Sequence, residues 1–251
     1  MRNILLNLSY NGKNYHGWQI QKNAVTVQEV FQKALKKIIK EKLDIKGCSR
    51  TDSGVHANMY CISFKTNSEI LCEKFPLALN KYLPNDIAVN SCCEVPLDFH
   101  ARYSCTSKEY IYKIWNARVR NPFLDGRAFH YWYPLDVELL NIAAKEFLGT
   151  YDFSAFCTQD KRIKQNLVRT VKNFEVLKDG NFVIFKVEAD GFLYNMVRIM
   201  VGTLLNVSRG RTKVEDIKNI ILSKDRSKAG PTAVPYGLYL NKVFYEGENY
   251  D

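Results

Sequence analysis

Two successive runs of strand-like and helix-like segments, with no Pro- or Gly-rich linker between them, constrain this chain more than any other feature. Ile4, Leu6, Leu8 and Tyr10 recur at period two and predict a first strand, which ends at the turn-rich Asn11-Gly12-Lys13-Asn14. A helix follows, opened by a capping box of Thr26 and Glu29. Val27, Val30, Phe31, Ala34, Leu35 and Ile38 share one of its faces, and Lys33, Lys36, Lys37 and Lys40 the other. Residues 59–65 read as a strand, 76–82 as the body of a second helix and 87–95 as another strand. From Thr106 the series begins again. It predicts a strand through Trp115, a helix over 136–148 and paired strands around the Asp179-Gly180 turn. A helix over about 193–207, a shorter one with a capping box at Thr212 and Glu215, and a final strand over 238–245 complete it.

That order predicts an α+β protein of two halves, residues 1–103 and 104–251, packed around a shared, mainly antiparallel sheet. A TIM barrel or Rossmann fold does not fit the mixed topology, and no GxGxxG or P-loop pattern is present. With 251 residues, 46% of them hydrophobic, the chain can bury a sizeable core, and 13% aromatic content excludes global disorder. The formal charge of +10 favours a polyanionic partner, nucleic acid ahead of an anionic membrane. No apolar run approaches the roughly 20 residues that span a bilayer, and Met1-Arg2-Asn3-Ile4 leads into a strand rather than a signal peptide. A cytoplasmic protein with no membrane association is therefore expected. The seven cysteines, an odd number that includes the adjacent Cys92-Cys93, form no CxxC and no Cys/His cluster at zinc spacing. They are expected to be reduced, mostly buried thiols, with no metal bound.

The chemistry concentrates in Gly47-Cys48-Ser49-Arg50-Thr51-Asp52-Ser53-Gly54-Val55-His56-Ala57, where an arginine, an acid and a turn glycine lie between strand-like segments. An ionised acid on such a turn is a candidate nucleophile or base, although Asp followed two residues later by Gly is by itself ordinary turn chemistry. Four further stretches change that balance. They are Tyr10-Asn11-Gly12 with Gly17-Trp18-Gln19-Ile20-Gln21, and Phe99-His100-Ala101-Arg102 with Lys108-Glu109-Tyr110-Ile111-Tyr112. The others are Phe192-Leu193-Tyr194-Asn195-Met196-Val197-Arg198 with Val201-Gly202, and Gly230-Pro231-Thr232-Ala233 with Gly237-Leu238.

In that order, across nearly the whole chain, these motifs resemble the tRNA pseudouridine synthase A family. The resemblance implies isomerisation of uridine to pseudouridine at positions 38, 39 and 40 of the tRNA anticodon stem-loop. It also implies a homodimer, each subunit having two ferredoxin-like (RRM-like) halves that flank a basic cleft. By motif match Asp52 is the family's catalytic aspartate, Tyr110 its base-contacting tyrosine and Arg198 the arginine that pairs with the aspartate. Arg50 matches an arginine that helps extrude the target nucleotide. Two departures stand out: Cys48-Ser49 precedes the Arg-Thr-Asp where a small, often glycine-containing pair is common, and Asn195 stands where many members carry histidine.

The residue types suit the reaction. Pseudouridine formation breaks the N1–C1′ bond, turns the uracil while it stays bound and joins C5 to C1′, without net redox change, so no cofactor is expected. A carboxylate can serve as a covalent nucleophile at C1′ or C6, or as a base at C2′ on a glycal route. Closing a pocket over Asp52 raises its pKa by desolvation, and a nearby arginine typically lowers an acid's pKa by about 1–3 units, which is the service Arg198 would render. Tyr110 would offer a stacking platform worth about 1–3 kcal/mol to an extruded base. Lys161, Arg162, Lys164, Arg209, Arg211 and the lysine-faced helix are candidates for phosphate contact. His56 and His100 are expected to be structural hydrogen-bonders. Two other readings stay open at this point: an RNA-binding module without catalysis, and a metal-dependent phosphodiesterase, disfavoured by the lack of clustered carboxylates.

Overall fold

A computed structural model describes residues 1–41, 43–158 and 166–247. In chain order the regular elements begin with β1 (Arg2–Tyr10), α1 (Val27–Ile38), β2 (Lys46–Gly47), β3 (His56–Thr66), α2 (Phe75–Asn80) and β4 (Ile87–Val95). Then come β5 (Cys105–Trp115), β6 (Phe129–His130), α3 (Val137–Lys145), β7 (Gly149–Asp152), β8 (Val168–Asp179) and β9 (Phe182–Ala189). Helices α4 (Met196–Ser208) and α5 (Asp216–Ser223) and strand β10 (Leu238–Tyr245) close the series. The protein is α+β with mainly antiparallel strand pairing. Contacts divide it into two units: Met1–Thr106 with Tyr239–Asp251, and Ser107–Leu238.

In the first unit β1 lies between β3 and β4 and is antiparallel to both. Its central leucines and Ile4 are buried on both faces, which is why the run is more apolar than a half-exposed strand requires. Two of its polar residues, Asn3 and Asn7, are buried as well; Asn3 donates through Nδ2 to the carbonyls of Pro96 (2.8 Å) and Phe99 (3.0 Å). Phe31 of α1, Phe64 of β3 and Phe75 of α2 are fully buried, each contributing about 1.5–3 kcal/mol by transfer from water. Half of the expected capping box forms: the Glu29 N–H donates to the Thr26 hydroxyl at 3.4 Å, while the Glu29 carboxylate accepts from Lys33 at 2.6 Å. Strand β10 runs parallel to β3, pairing Tyr239 with His56 and Leu240 with Ala57. The last strand thus groups with the first unit, whereas chain order alone assigns it to the second half.

The second unit is built on β5, antiparallel to β9 from Lys108↔Ala189 to Trp115↔Phe182, followed by β8 and β7. Tyr112, Ile114, Phe174, Phe185 and Val187 form the buried face of this sheet. Helix α4 is buried along nearly its whole length, so its sequence is apolar all round rather than amphipathic. At Gly202 any side chain would run into the Pro231 carbonyl, which explains the pairing of Val201-Gly202 with Gly230-Pro231 among the motifs.

Three local expectations need correction. The helix expected from Leu193 begins at Met196, because Asn195 is left-handed (φ 63°, ψ 7°) and cannot lie inside a helix. The Thr212–Glu215 capping box does not form; α5 starts at Asp216, which instead accepts from the Lys213 N–H at 3.2 Å. All seven cysteines are free as expected, but three of them, Cys48, Cys61 and Cys157, are buried and the other four half-buried.

Candidate active site

Asp52 sits on the turn that leads into β3, and its surroundings fix the backbone on both sides. The Thr51 carbonyl accepts from the Trp18 N–H at 3.1 Å, and the Thr51 hydroxyl bonds to the Tyr10 hydroxyl at 2.8 Å. On the far side the Val55 N–H donates to the Asp52 carbonyl and the Gly54 N–H to the Tyr15 carbonyl, both at 3.1 Å. Gly54 takes φ +77°, which places the turn glycine where a side chain is disfavoured. Gly17 takes φ +80° and packs so closely on Thr51 that a Cβ there would strike the Thr51 carbonyl. The apposed segment is itself anchored: the Tyr15 hydroxyl donates to Asp86 at 2.5 Å, and burial together with that carboxylate raises its pKa, keeping it a donor. Beneath the turn Tyr10, Trp18 and Tyr60 form an aromatic cluster, with Trp18 stacked on Tyr60 at 4.0 Å. The Tyr60 hydroxyl donates to the Ser49 carbonyl. Asp52 is half-exposed on this held backbone.

The other groups of this unit separate by role. Arg50 is exposed, two residues before the acid. His56 is buried; its Nδ1 accepts the Gly12 N–H at 2.9 Å and its ring stacks on Tyr239 at 4.5 Å. An imidazole so placed holds the Asn11-Gly12 turn against the start of β3. His100 accepts the Arg102 N–H through Nδ1 at 3.0 Å, and burial, then Lys46, lowers its pKa. Next to it the Ala101 N–H donates to Ser63 and its carbonyl accepts from the Tyr245 hydroxyl, so Phe99-His100-Ala101-Arg102 is a structural tie among strands.

Tyr110 and Arg198 belong to the second unit. Tyr110 lies on β5, 6% exposed, with its ring edge-on to Phe192 at 5.0 Å. Arg198 lies in the first turn of α4. Its Nε donates to the Ala233 carbonyl and its Nη1 to Asn195 Oδ1, both at 2.7 Å, while the Ala233 N–H returns a bond to the Arg198 carbonyl at 3.0 Å. The Gly230-Pro231-Thr232-Ala233 motif is thereby the cradle of this arginine. The Tyr112 hydroxyl donates to the neighbouring Val234 carbonyl at 2.9 Å, and burial raises its pKa against a lowering influence of Arg198. Among the described residues no group of three His, Cys, Asp or Glu is arranged to hold a metal ion.

The tRNA pseudouridine synthase family model matches residues 8–104 and 143–246. The chain belongs to this family. It is 49% identical over 245 residues to the tRNA pseudouridine synthase A of Thermoanaerobacter sp. (strain X514), across 98% of this chain and the whole of that protein. Over the same coverage it is 47% identical to the tRNA pseudouridine synthase A of Clostridium acetobutylicum. It is 49% identical over 246 residues to tRNA pseudouridine synthase A 2 of Clostridium perfringens. Membership makes the chain an isomerase of the pseudouridine synthase class.

The sequence pointed to the acid, the arginines and the tyrosine but not to what supports them. The roles of Tyr10, Trp18 and Tyr60 beneath the turn come from strands and loops apart in the chain, and no local spacing announces them. The cradle at Ala233 and the left-handed Asn195 were present among the motifs without a function attached. Of the basic candidates, Lys36 and Lys37 are exposed on α1, Lys40 is exposed but lies beyond the helix, which ends at Ile38, Lys33 pairs with Glu29 at 2.6 Å, and Arg209 lies over the Tyr133 ring at 4.1 Å. Lys161, Arg162 and Lys164 lie outside the described residues. Among those described, no helix is long and apolar enough to cross a membrane.

Proposed function

We propose that this chain converts uridine to pseudouridine at positions 38, 39 and 40 of the tRNA anticodon stem-loop, with Asp52 as the catalytic group. The observation that carries this reading is the Asp52 turn: a half-exposed carboxyl on a backbone clamped from Tyr10, Tyr15 and Trp18, in a chain of this family. A rigidly held acid suits a reaction whose steps occur at neighbouring atoms of one bound nucleotide.

The N1–C1′ bond breaks, the uracil turns, C5 bonds to C1′, the hydrogen on C5 leaves to solvent and N1 takes one up. Atoms and electrons balance within the nucleotide, so the residues need supply only an ionised carboxylate, a pocket and proton traffic. Asp52 acts either as nucleophile at C1′ or C6 or as base at C2′. Arg198 is assigned as the acid's partner by the motif match, and a guanidinium's fixed fork suits a carboxylate. Arg50, exposed on the same turn, takes the place of the extruded base, and Tyr110 receives the base. Because the Tyr110 ring is buried, an entering base has to displace a neighbour. The exposed lysines of α1 and Arg211 contribute to backbone attraction. The active species is a homodimer and acts in the cytoplasm.

Mapping pseudouridine in unmodified tRNA after incubation with the protein tests the reading. New pseudouridine at 38, 39 or 40 supports it. Pseudouridine elsewhere overturns the positions, and bound but unmodified tRNA favours an RNA-binding module instead.

A further inference from the structure

Asn195 is one of two non-glycine residues with positive φ among those described, the other being Lys224. It is the N-cap of α4, and its carbonyl accepts the Ile199 N–H at 2.9 Å. An asparagine in that place ordinarily turns its side chain onto the free N–H groups of the first helical turn. Here it makes no such bond. Oδ1 instead accepts from Arg198 Nη1 at 2.7 Å, and Nδ2 donates to the Thr158 hydroxyl at 3.0 Å. The Thr158 N–H donates in turn to the Tyr194 carbonyl at 3.1 Å, tying the two segments together. A guanidinium has donors and no acceptor, so the amide can meet it only through oxygen, and the amide nitrogen is then directed at Thr158. One edge of the Arg198 fork is set by Ala233 and a second by Asn195.

We propose that Asn195 is a positioning residue for Arg198: its left-handed backbone and its side-chain carbonyl together set the direction in which the guanidinium points. The role rests on the assignment of Arg198 made above. The residue needs two properties at once, tolerance of the left-handed region and a side-chain acceptor within reach of position i+3. Histidine shares both, since it is enriched among left-handed residues and its neutral ring carries an acceptor nitrogen. Alanine has neither, and glycine has the first alone.

The test is steady-state kinetics on tRNA with Asn195→Gly, Asn195→His, Arg198→Ala and the double variant Asn195→Gly/Arg198→Ala, each with its thermal midpoint. Asn195→Gly is expected to lose about 10-fold in kcat with KM nearly unchanged, less than the ~100-fold that an ångström of misplacement can cost. Its midpoint should stay close to that of the parent, because glycine accepts the left-handed conformation. Asn195→His should recover most of kcat, and in the Arg198→Ala background the glycine change should add nothing. Full kcat in Asn195→Gly, with Arg198→Ala impaired, overturns the positioning role and leaves the Arg198 assignment standing. The same loss with and without Arg198 overturns it too, since Asn195 would then act by another route. Full activity of Arg198→Ala removes both the assignment and the inference built on it.

Discussion

The Asp52 turn and the Arg198 helix start solve the same problem in opposite ways. Around Asp52 the main chain is held mostly by main-chain partners, with the Thr51 and Tyr60 hydroxyls adding to them. Around Arg198 the helix opens on the left-handed Asn195, and the guanidinium itself donates to the Asn195 side chain and to the Ala233 carbonyl. The first arrangement depends on glycines, at positions 17 and 54, because it needs unusual φ and close approach. The second also uses close approach, where Gly202 and Gly230 pack the Ala233 segment on α4, but at the guanidinium it depends on particular acceptors. Substitutions should therefore be punished differently in the two regions: by loss of backbone space in one, by loss of an acceptor in the other.

Removing charge without disturbing shape has the largest expected effect. Asp52→Asn should lose at least ~10³-fold in turnover, with an unchanged thermal midpoint and tRNA affinity. A clamped turn also predicts a large effect from a residue that never touches substrate. Gly17→Ala should strain a φ of +80° and press on the Thr51 carbonyl, lowering stability by about 1–3 kcal/mol and turnover with it. Gly180→Ala is the matched control, since Gly180 has positive φ but nothing within 4 Å; it should lower the midpoint modestly and leave turnover of the folded protein intact.

Tyr110→Ala should weaken productive binding by about 1–3 kcal/mol, the value of one base stacked on an aromatic ring, whereas Tyr110→Phe should keep it. Equal KM in the two variants would argue against stacking. The smallest effect is in acid. Because His100 has a lowered pKa, the folded chain binds fewer protons than the unfolded chain as pH falls below the ordinary histidine value of about 6.5. Its contribution is complete above that value and is lost as pH drops through the lowered one. Urea titrations from pH 7 to 5 should show a shallower decline for His100→Gln than for the parent.

Much of this was legible in the sequence, and the reasons are physical. Strands 87–95 and 238–245 were readable to the residue, since alternation and flanking turns mark their ends. Helix starts were less so. At Asn195 the apolar pattern of α4 runs back past the true start, and the break lies in a dihedral angle rather than in hydrophobicity. At Thr212 the residues for a cap are present, yet Asp216 takes the bond. The place of β10 beside β3 was hidden because it pairs residues nearly two hundred positions apart. Asp52, Arg50, Tyr110 and Arg198 stood out through their motifs, whereas the aromatic floor of Tyr10, Trp18 and Tyr60 required the folded chain.

The central claim is that the carboxylate of Asp52 performs the isomerisation, and tritium release from tRNA labelled with 5-³H-uridine reads it most directly, because the hydrogen on C5 leaves only when the new bond forms. With Asp52→Asn in excess over tRNA, binding should persist and release should stay at the level of tRNA incubated alone. A burst of tritium at the parental rate would contradict the assignment of Asp52.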